Sequence, residues 1–411
     1  MEADQVLIRS SARWFLVVLA LGIWLRSAFV WMYNPRPFDW GSLIHAHSHT
    51  AYFGWAGLGL MGLILYVLPG LTGEPLVVPR QLRWLLALSP TAVGGALVTF
   101  ALWGYAAPSI AFSAANEVVW FFFAFVFWQN VKGRPVRDWP AALWLIGVAV
   151  VLLLVSTFGT VLIILTRVMV HTSDPVLGNS GVYLFLQAYG DGWLEAGIMG
   201  VAAALAGGLA NRTMARWQSL LLLTMTVPAA LRLLIPFGLE GPLAVAAQAA
   251  GLGLGAAQVL YLINMAGSSH RLPAVVRPWW LTAAAALAMK AVLEALPLLP
   301  GWAELAAERN LVIAFLHLKL LALVTAGLIG AMAYVGLVGP GFPLFAAGTA
   351  IMVGALAAHG LWAGRNPVLG HDLYAVAFWA GVTAAAGAAL AIWPTAVPPR
   401  LVKVAAWHRA P

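Results

Sequence analysis

Residues 43–70 read LIHAHSHTAYFGWAGLGLMGLILYVLPG: three histidines, then an apolar run without Lys, Arg, Asp or Glu that stops at Pro69-Gly70. A helix rises ~1.5 Å per residue, so about 20 apolar residues cross a hydrocarbon core of ~30 Å. Stretches of this kind recur roughly at 14–33, 45–68, 82–104, 109–130, 140–164, 181–206, 217–239, 242–266, 278–299, 311–336, 342–363 and 373–395. Turn-forming clusters separate them, among them Pro69-Gly70, Gly133-Arg134-Pro135, Gly238–Pro242, Gly339–Pro343 and Asn366-Pro367. The pattern predicts an all-α membrane protein of about twelve transmembrane helices in a single bundle, with residues 1–411 forming one polytopic domain. The division of 217–266 into two spans rests on Pro236–Pro242.

Composition leads to the same class. Of the 411 residues, 62% are hydrophobic and 9% charged, whereas a soluble domain carries about a quarter charged residues. No soluble core could bury this much apolar surface, so a lipid bilayer is the expected solvent for much of it. The formal charge of +8 does not point to nucleic acid, because the basic residues are scattered through short connections. One alternate set of connections holds Arg9/Arg13, Arg80/Arg83, Lys132/Arg134/Arg137, Arg212/Arg216, Arg271/Arg277 and Arg400/Lys403/Arg409. The other holds only Arg36, Arg167, Arg309 and Arg365, with most loop acids: Asp39, Asp174, Glu240, Glu304, Glu308 and Asp372. Excess Lys and Arg marks the cytoplasmic side. Both termini are therefore expected in the cytoplasm, with the spans in the inner (plasma) membrane. Glu2 and Asp4 follow Met1 where a cleaved signal would be basic, so the first span is expected to be retained. Cysteine is absent, which leaves histidine, carboxylate and carbonyl groups as metal ligands.

Ionisable residues inside spans are costly and default to functional candidates. His45, His47 and His49 occupy the first turn or so of the second span, and His317 lies about seven residues into the tenth. His45 and His49 share a helix face, with His47 pointing the other way. Neutral imidazole is the commonest metal ligand, so His45 and His49 are candidate metal ligands; a polar cap at headgroup level is the plainer alternative. Gln187, Asp191 and Glu195 form a stripe at i, i+4, i+8 in the sixth span, and Glu117 sits at similar depth in the fourth. Asp191, Glu195 and Glu117 are the catalytic candidates, the first two as proton-relay or second metal groups. The alternative is a satisfied network with Arg232, Gln187 or Lys319. Lys290 and Glu294 read as an ordinary i, i+4 ion pair. Arg26, Arg232 and His359 fall in the outer halves of their spans, so nearly every polar group inside a span, the histidines included, is expected towards the outer face.

The segment HAHSHTAYFGWAGLGLMGLILYVLP resembles the second helix of the heme–copper oxidase catalytic subunits, particularly the C-family oxidases and nitric oxide reductases. That resemblance implies twelve helices and a low-spin heme b held by a histidine shortly before an aromatic-Gly pair, here His47 before Phe53-Gly54, and by His317 in AFLHLKLLAL. It also marks departures. Phe315 stands where the family carries a histidine for the high-spin heme, and the sixth and seventh spans lack the copper-site histidines. The implied protein is a heme-binding electron-transfer or nitric oxide/oxygen-handling oxidoreductase without the ordinary binuclear centre. An electron-donor protein or quinol, and a partner subunit, are its implied partners. The same segment is similar to the NnrS proteins, heme- and copper-containing membrane proteins, through His45-Ala46-His47, Phe53-Gly54, Gly62, Pro69 and Thr72-Gly73. Ser48-His49 departs from that pattern, where Glu-Met is expected. Two readings from other classes stand beside these: a proton-coupled transporter built on the acidic stripe, and a copper or zinc protein using His45, His49 and a carboxylate.

Overall fold

The computed structural model describes residues 2–34, 37–299, 301–302, 305, 309–362 and 367–397. Arg36, Glu304, Glu308, Arg365, Arg400, Lys403 and Arg409, used above in the charge alternation, lie outside the described residues, as does the side chain of Arg309. Among the described residues the protein is all helix and coil, with no strand.

Eleven helices are long and apolar enough to cross a membrane. They are α1 (Ala3–Val30), α2 (Trp40–Thr72), α3 (Arg80–Trp103), α4 (Ala107–Val131), α5 (Ala141–Met169), α7 (Arg212–Phe237), α8 (Gly241–Ala266), α9 (Arg277–Leu298), α10 (Leu311–Tyr334), α11 (Phe342–Trp362) and α12 (Leu369–Ala396). The label α6 belongs to the unbroken helical run 175–205. This run is long enough to span, but Gln187, Tyr189, Asp191 and Glu195 dilute its apolar character, and so it stands apart from the eleven. The break between α7 and α8 confirms the division expected at Pro236–Pro242: Gly238 and Gly241 adopt φ of 105° and 72°, open to glycine at little cost.

Neighbouring helices pack in pairs: α3 with α4, α7 with α8, α11 with α12, and α1 against both α2 and α12. Without a hydrophobic drive between helices in lipid, close backbone approach supplies the contact energy. At Gly62 a Cβ would lie 2.9 Å from the Asp4 carbonyl oxygen and 2.8 Å from Ile8, so α1 crosses α2 where only hydrogen fits.

The bundle has a definite centre. The most apolar stretch of α2 is 83% buried, and residues 188–203 of α6 and 322–333 of α10 are enclosed as well. These three helices touch one another and form the interior pillar. Each carries a π-helical segment: Thr50–Gly57 in α2, Leu186–Glu195 in α6 and Leu318–Thr325 in α10. A further one, Ile164–Met169, ends α5. Such segments are rare and mark functional sites more often than chance.

Polar contacts join the three central π segments in every pairing. The Tyr189 hydroxyl donates to the Tyr52 carbonyl at 2.8 Å. Trp55 Nε1 donates to Thr325 Oγ1 at 2.9 Å, and Lys319 forms an ion pair with Asp191. A π turn takes one carbonyl out of the ordinary helical ladder, and a side chain from a neighbour then uses it. Tyr52 is that case.

Candidate functional site

The histidine segment begins at a firm helix start. Asp39 caps α2, accepting hydrogen bonds from the Ser42 amide at 2.9 Å and the Ser42 hydroxyl at 3.2 Å. The Ser42 amide holds the Asp39 carboxyl below its ordinary range. Regular α geometry then runs to His49, so the expected faces are realised. The His45 and His49 rings lie 6.3 Å apart between centroids. His49 stacks on Phe100 at 4.0 Å, and His45 meets Tyr105 edge-on at 4.5 Å. His49 Nδ1 donates to its own helix, at the His45 carbonyl, 2.9 Å, which leaves Nε2 as the acceptor nitrogen. No group of three or more His, Asp or Glu side chains placed to hold a metal ion occurs among the described residues.

His47 faces the opposite way, onto α1. A Cβ at Gly22 would lie 3.1 Å from its Cε1, so the imidazole rests against bare backbone. Its Nδ1 is buried without a partner in hydrogen-bond geometry, although the Val18 backbone of α1 faces the ring. His317, from α10, arrives at the same place: Arg26 Nη2 lies 3.2 Å from His317 Nε2, and Arg26 and His47 are electrostatic neighbours of His317. A guanidinium can only donate, so Nε2 accepts. The Ile313 carbonyl, 2.7 Å from Nδ1, can only accept, so Nδ1 carries the proton. His317 is a neutral imidazole of fixed tautomer. The two histidines that the resemblance singled out, 270 positions apart in the chain, therefore converge on one arginine.

The second cluster lies among α6, α7, α9 and α10. Lys290 is wholly buried, with Nζ 2.6 Å from Glu294 Oε1, 3.3 Å from Glu195 Oε2 and 3.6 Å from Asp191 Oδ2. Lys319 pairs with Asp191, and Arg232 pairs with Glu294. Two amides complete the shell: Gln187 Nε2 donates to Asp191 Oδ2 at 2.6 Å, and Gln258 Nε2 to Glu195 Oε1 at 2.7 Å. Three cations (Arg232, Lys290, Lys319) thus balance three carboxylates (Asp191, Glu195, Glu294). Lys319 pairs with a span-six acid, as the alternative of a satisfied network has it. The reading of Lys290 and Glu294 as an ordinary pair does not hold, because they are the hub of the network. Paired i, i+4 in sequence, they gain Asp191, Glu195 and Arg232 only through packing. A buried ion pair is a weak device for stability, since desolvation offsets its attraction. Six such charges in an apolar bundle are better explained by function or by specificity of assembly.

Glu117 joins neither cluster. It faces the Thr160 hydroxyl of α5 and enters no ion pair among the described residues. The neighbours that residue-by-residue reading missed are Gln258, which completes the Glu195 shell, and the Tyr52–Tyr189 pair. Arg26 matches the candidates in depth, and its bond to His317 arises where α1 meets α10. All are ordinary residue types whose roles come from helices distant in the chain. No protein-family model matches this sequence, and no curated protein matches it either.

Proposed function

We propose that the chain is a twelve-span protein of the inner (plasma) membrane, with 175–205 as the sixth span and both termini cytoplasmic, that binds heme b between His47 and His317. The convergence of these two half-buried imidazoles on Arg26 carries the proposal. The donor set suits the group: two imidazoles from separate helices, one with an unpartnered Nδ1, the other with a fixed proton and a lone pair on Nε2. Arg26 is the cation that would meet carboxylates of such a group, and binding requires its guanidinium to leave His317 Nε2. When bound, heme supplies one-electron chemistry. The chain's own part is to bring two imidazoles from separate helices to one place and to fix the tautomer of His317. The ion network of α6, α7, α9 and α10 takes the place of a binuclear centre, so electron transfer or nitric oxide/oxygen handling is the proposed role. An electron-donor protein or quinol on the membrane is its proposed partner.

The test is the absorption spectrum of the purified protein after heme supplementation. A bis-histidine spectrum is expected, lost in His47→Ala and in His317→Ala. No Soret band in the parent, or a spectrum retained in both variants, overturns the assignment. The balanced network favours a second reading, proton-coupled transport, in which Asp191 and Glu195 exchange protons as substrate crosses. That reading predicts ion-driven flux in proteoliposomes and no chromophore.

A further inference from the structure

We infer that the end of the bundle holding Arg212 and Arg216 carries a binding site for the phosphodiester headgroup of an anionic phospholipid. Arg212 and Arg216 stand one turn apart at the start of α7. Both bend to a single acceptor: Arg212 Nη2 and Arg216 Nη2 each lie 2.8 Å from the Arg137 carbonyl oxygen. Arg212 Nη2 also lies 2.9 Å from the Trp139 carbonyl. Two guanidinium groups are therefore clamped side by side on the connection between α4 and α5. Neither enters an ion pair among the described residues. The acids of this end lie nearer other arginines: Asp138 is 3.9 Å from Arg137, and Glu74 is 3.9 Å from Arg134. Like charges held this close call for an anion between them. Three donated bonds leave most of the ten N–H donors of the pair free, in the planar fork that suits phosphate oxygens.

Two further observations give the anion its character. Arg216 lies over the Trp144 ring at 5.6 Å, and Trp144 Nε1 is buried without a hydrogen-bond partner. The Arg216 guanidinium thus covers the Trp144 ring, whose N–H proton finds no acceptor within the protein. Beyond the polar end, α5 and α7 pack together, and Val151 of α5 and Trp217 and Leu220 of α7 are exposed. Those apolar side chains suit an acyl chain, as a free phosphate would not require. Cationic pockets between helix ends are a known manner of holding anionic headgroups.

The full chain is purified in detergent, delipidated, and titrated with short-chain phosphatidylglycerol, phosphatidylcholine and inorganic phosphate, with binding read by native mass spectrometry. Saturable binding of phosphatidylglycerol is expected, with phosphatidylcholine much weaker. Arg212→Gln with Arg216→Gln should weaken it about thirtyfold, taking about fivefold per arginine near the surface. Trp144→Phe, which keeps the ring and removes the N–H, should weaken it several-fold and guards against a double variant that fails to fold. Arg80→Gln with Arg83→Gln, an exposed basic pair elsewhere, should leave it unchanged. Equal binding by the double variant and by Trp144→Phe overturns the site. An equal loss in the Arg80/Arg83 variant means diffuse attraction and overturns it too. Full competition by inorganic phosphate at comparable concentration replaces lipid with a free anion and overturns the lipid assignment.

Discussion

Replacing Lys290 with Met removes the hub of the ion network at nearly constant volume, and the geometry says where the damage falls. Glu294 keeps Arg232 and Asp191 keeps Lys319, but Glu195 retains only the Gln258 amide. The uncompensated charge therefore lands on Glu195. Lys290 lies 3.3 Å from it, and two unit charges at that separation attract by about 5 kcal/mol at an effective dielectric of ~20. Breaking a buried pair from one side costs about 3–5 kcal/mol, so that range is expected for Lys290→Met. Glu195→Gln alone should cost less, about 1–3 kcal/mol, because Lys290 still has Glu294 at 2.6 Å and Asp191 at 3.6 Å. The double variant restores neutrality. It should sit within about 1 kcal/mol of Glu195→Gln alone, giving a coupling of roughly 2 kcal/mol or more. The assay is equilibrium unfolding of the four proteins in mixed micelles against added denaturing detergent. If the two substitutions simply add, Glu195 is not the group left bare, and the assignment of charges within the network is wrong.

Three other outcomes follow from contacts described above. Gly57→Ala puts a Cβ 2.7 Å from the Tyr189 hydroxyl and 2.9 Å from the Tyr52 carbonyl, so it should break the bond between α2 and α6 and cost about 1–3 kcal/mol in the same unfolding assay. Trp55→Phe and Thr325→Val each remove the 2.9 Å bond between α2 and α10; each should cost about 1 kcal/mol, and the pair together little more than one of them. Asp39 is depressed in the folded state, so its contribution is present above the ordinary carboxylate pKa of about 3.9 and fades as pH falls through the folded value. Asp39→Asn keeps a capping oxygen and should flatten that acid limb of the unfolding-midpoint profile. An unchanged profile rejects the cap as its source.

Much of the fold could be read from the chain because lipid makes one demand that is local: enough apolar residues in a row. The helices at Ala141–Met169 and Leu311–Tyr334 announce themselves that way. The run 175–205 is harder, since Asp191 and Glu195 lower its apolar character for reasons that lie on other helices. The same division governs the site. The faces of His45, His47 and His49 follow from periodicity, and Lys319 needed an acid within reach, so both were legible. That Lys290 would serve three carboxylates, or that Arg26 would bond His317, depends on which helices are neighbours, and no short-range pattern carries that. The π segments are the extreme case: Thr50–Gly57 contains nothing that excludes an α-helix, and the hydroxyl that bonds a carbonyl within it comes from Tyr189, 137 positions away.

Those π segments have a bearing on how such a bundle can change by descent. A π turn amounts to an α-helix with one residue too many, and its removal closes the ladder and turns everything beyond it by about 100°. In α2, α6 and α10 the segments lie just past the histidines or hold the acids themselves. A one-residue deletion there would leave the helix long enough to span, yet swing its lower half onto a different set of neighbours. Each of the three central helices therefore carries a spare residue, and gene-level gain or loss of a single codon is a means of re-aiming its side chains that substitution alone does not offer.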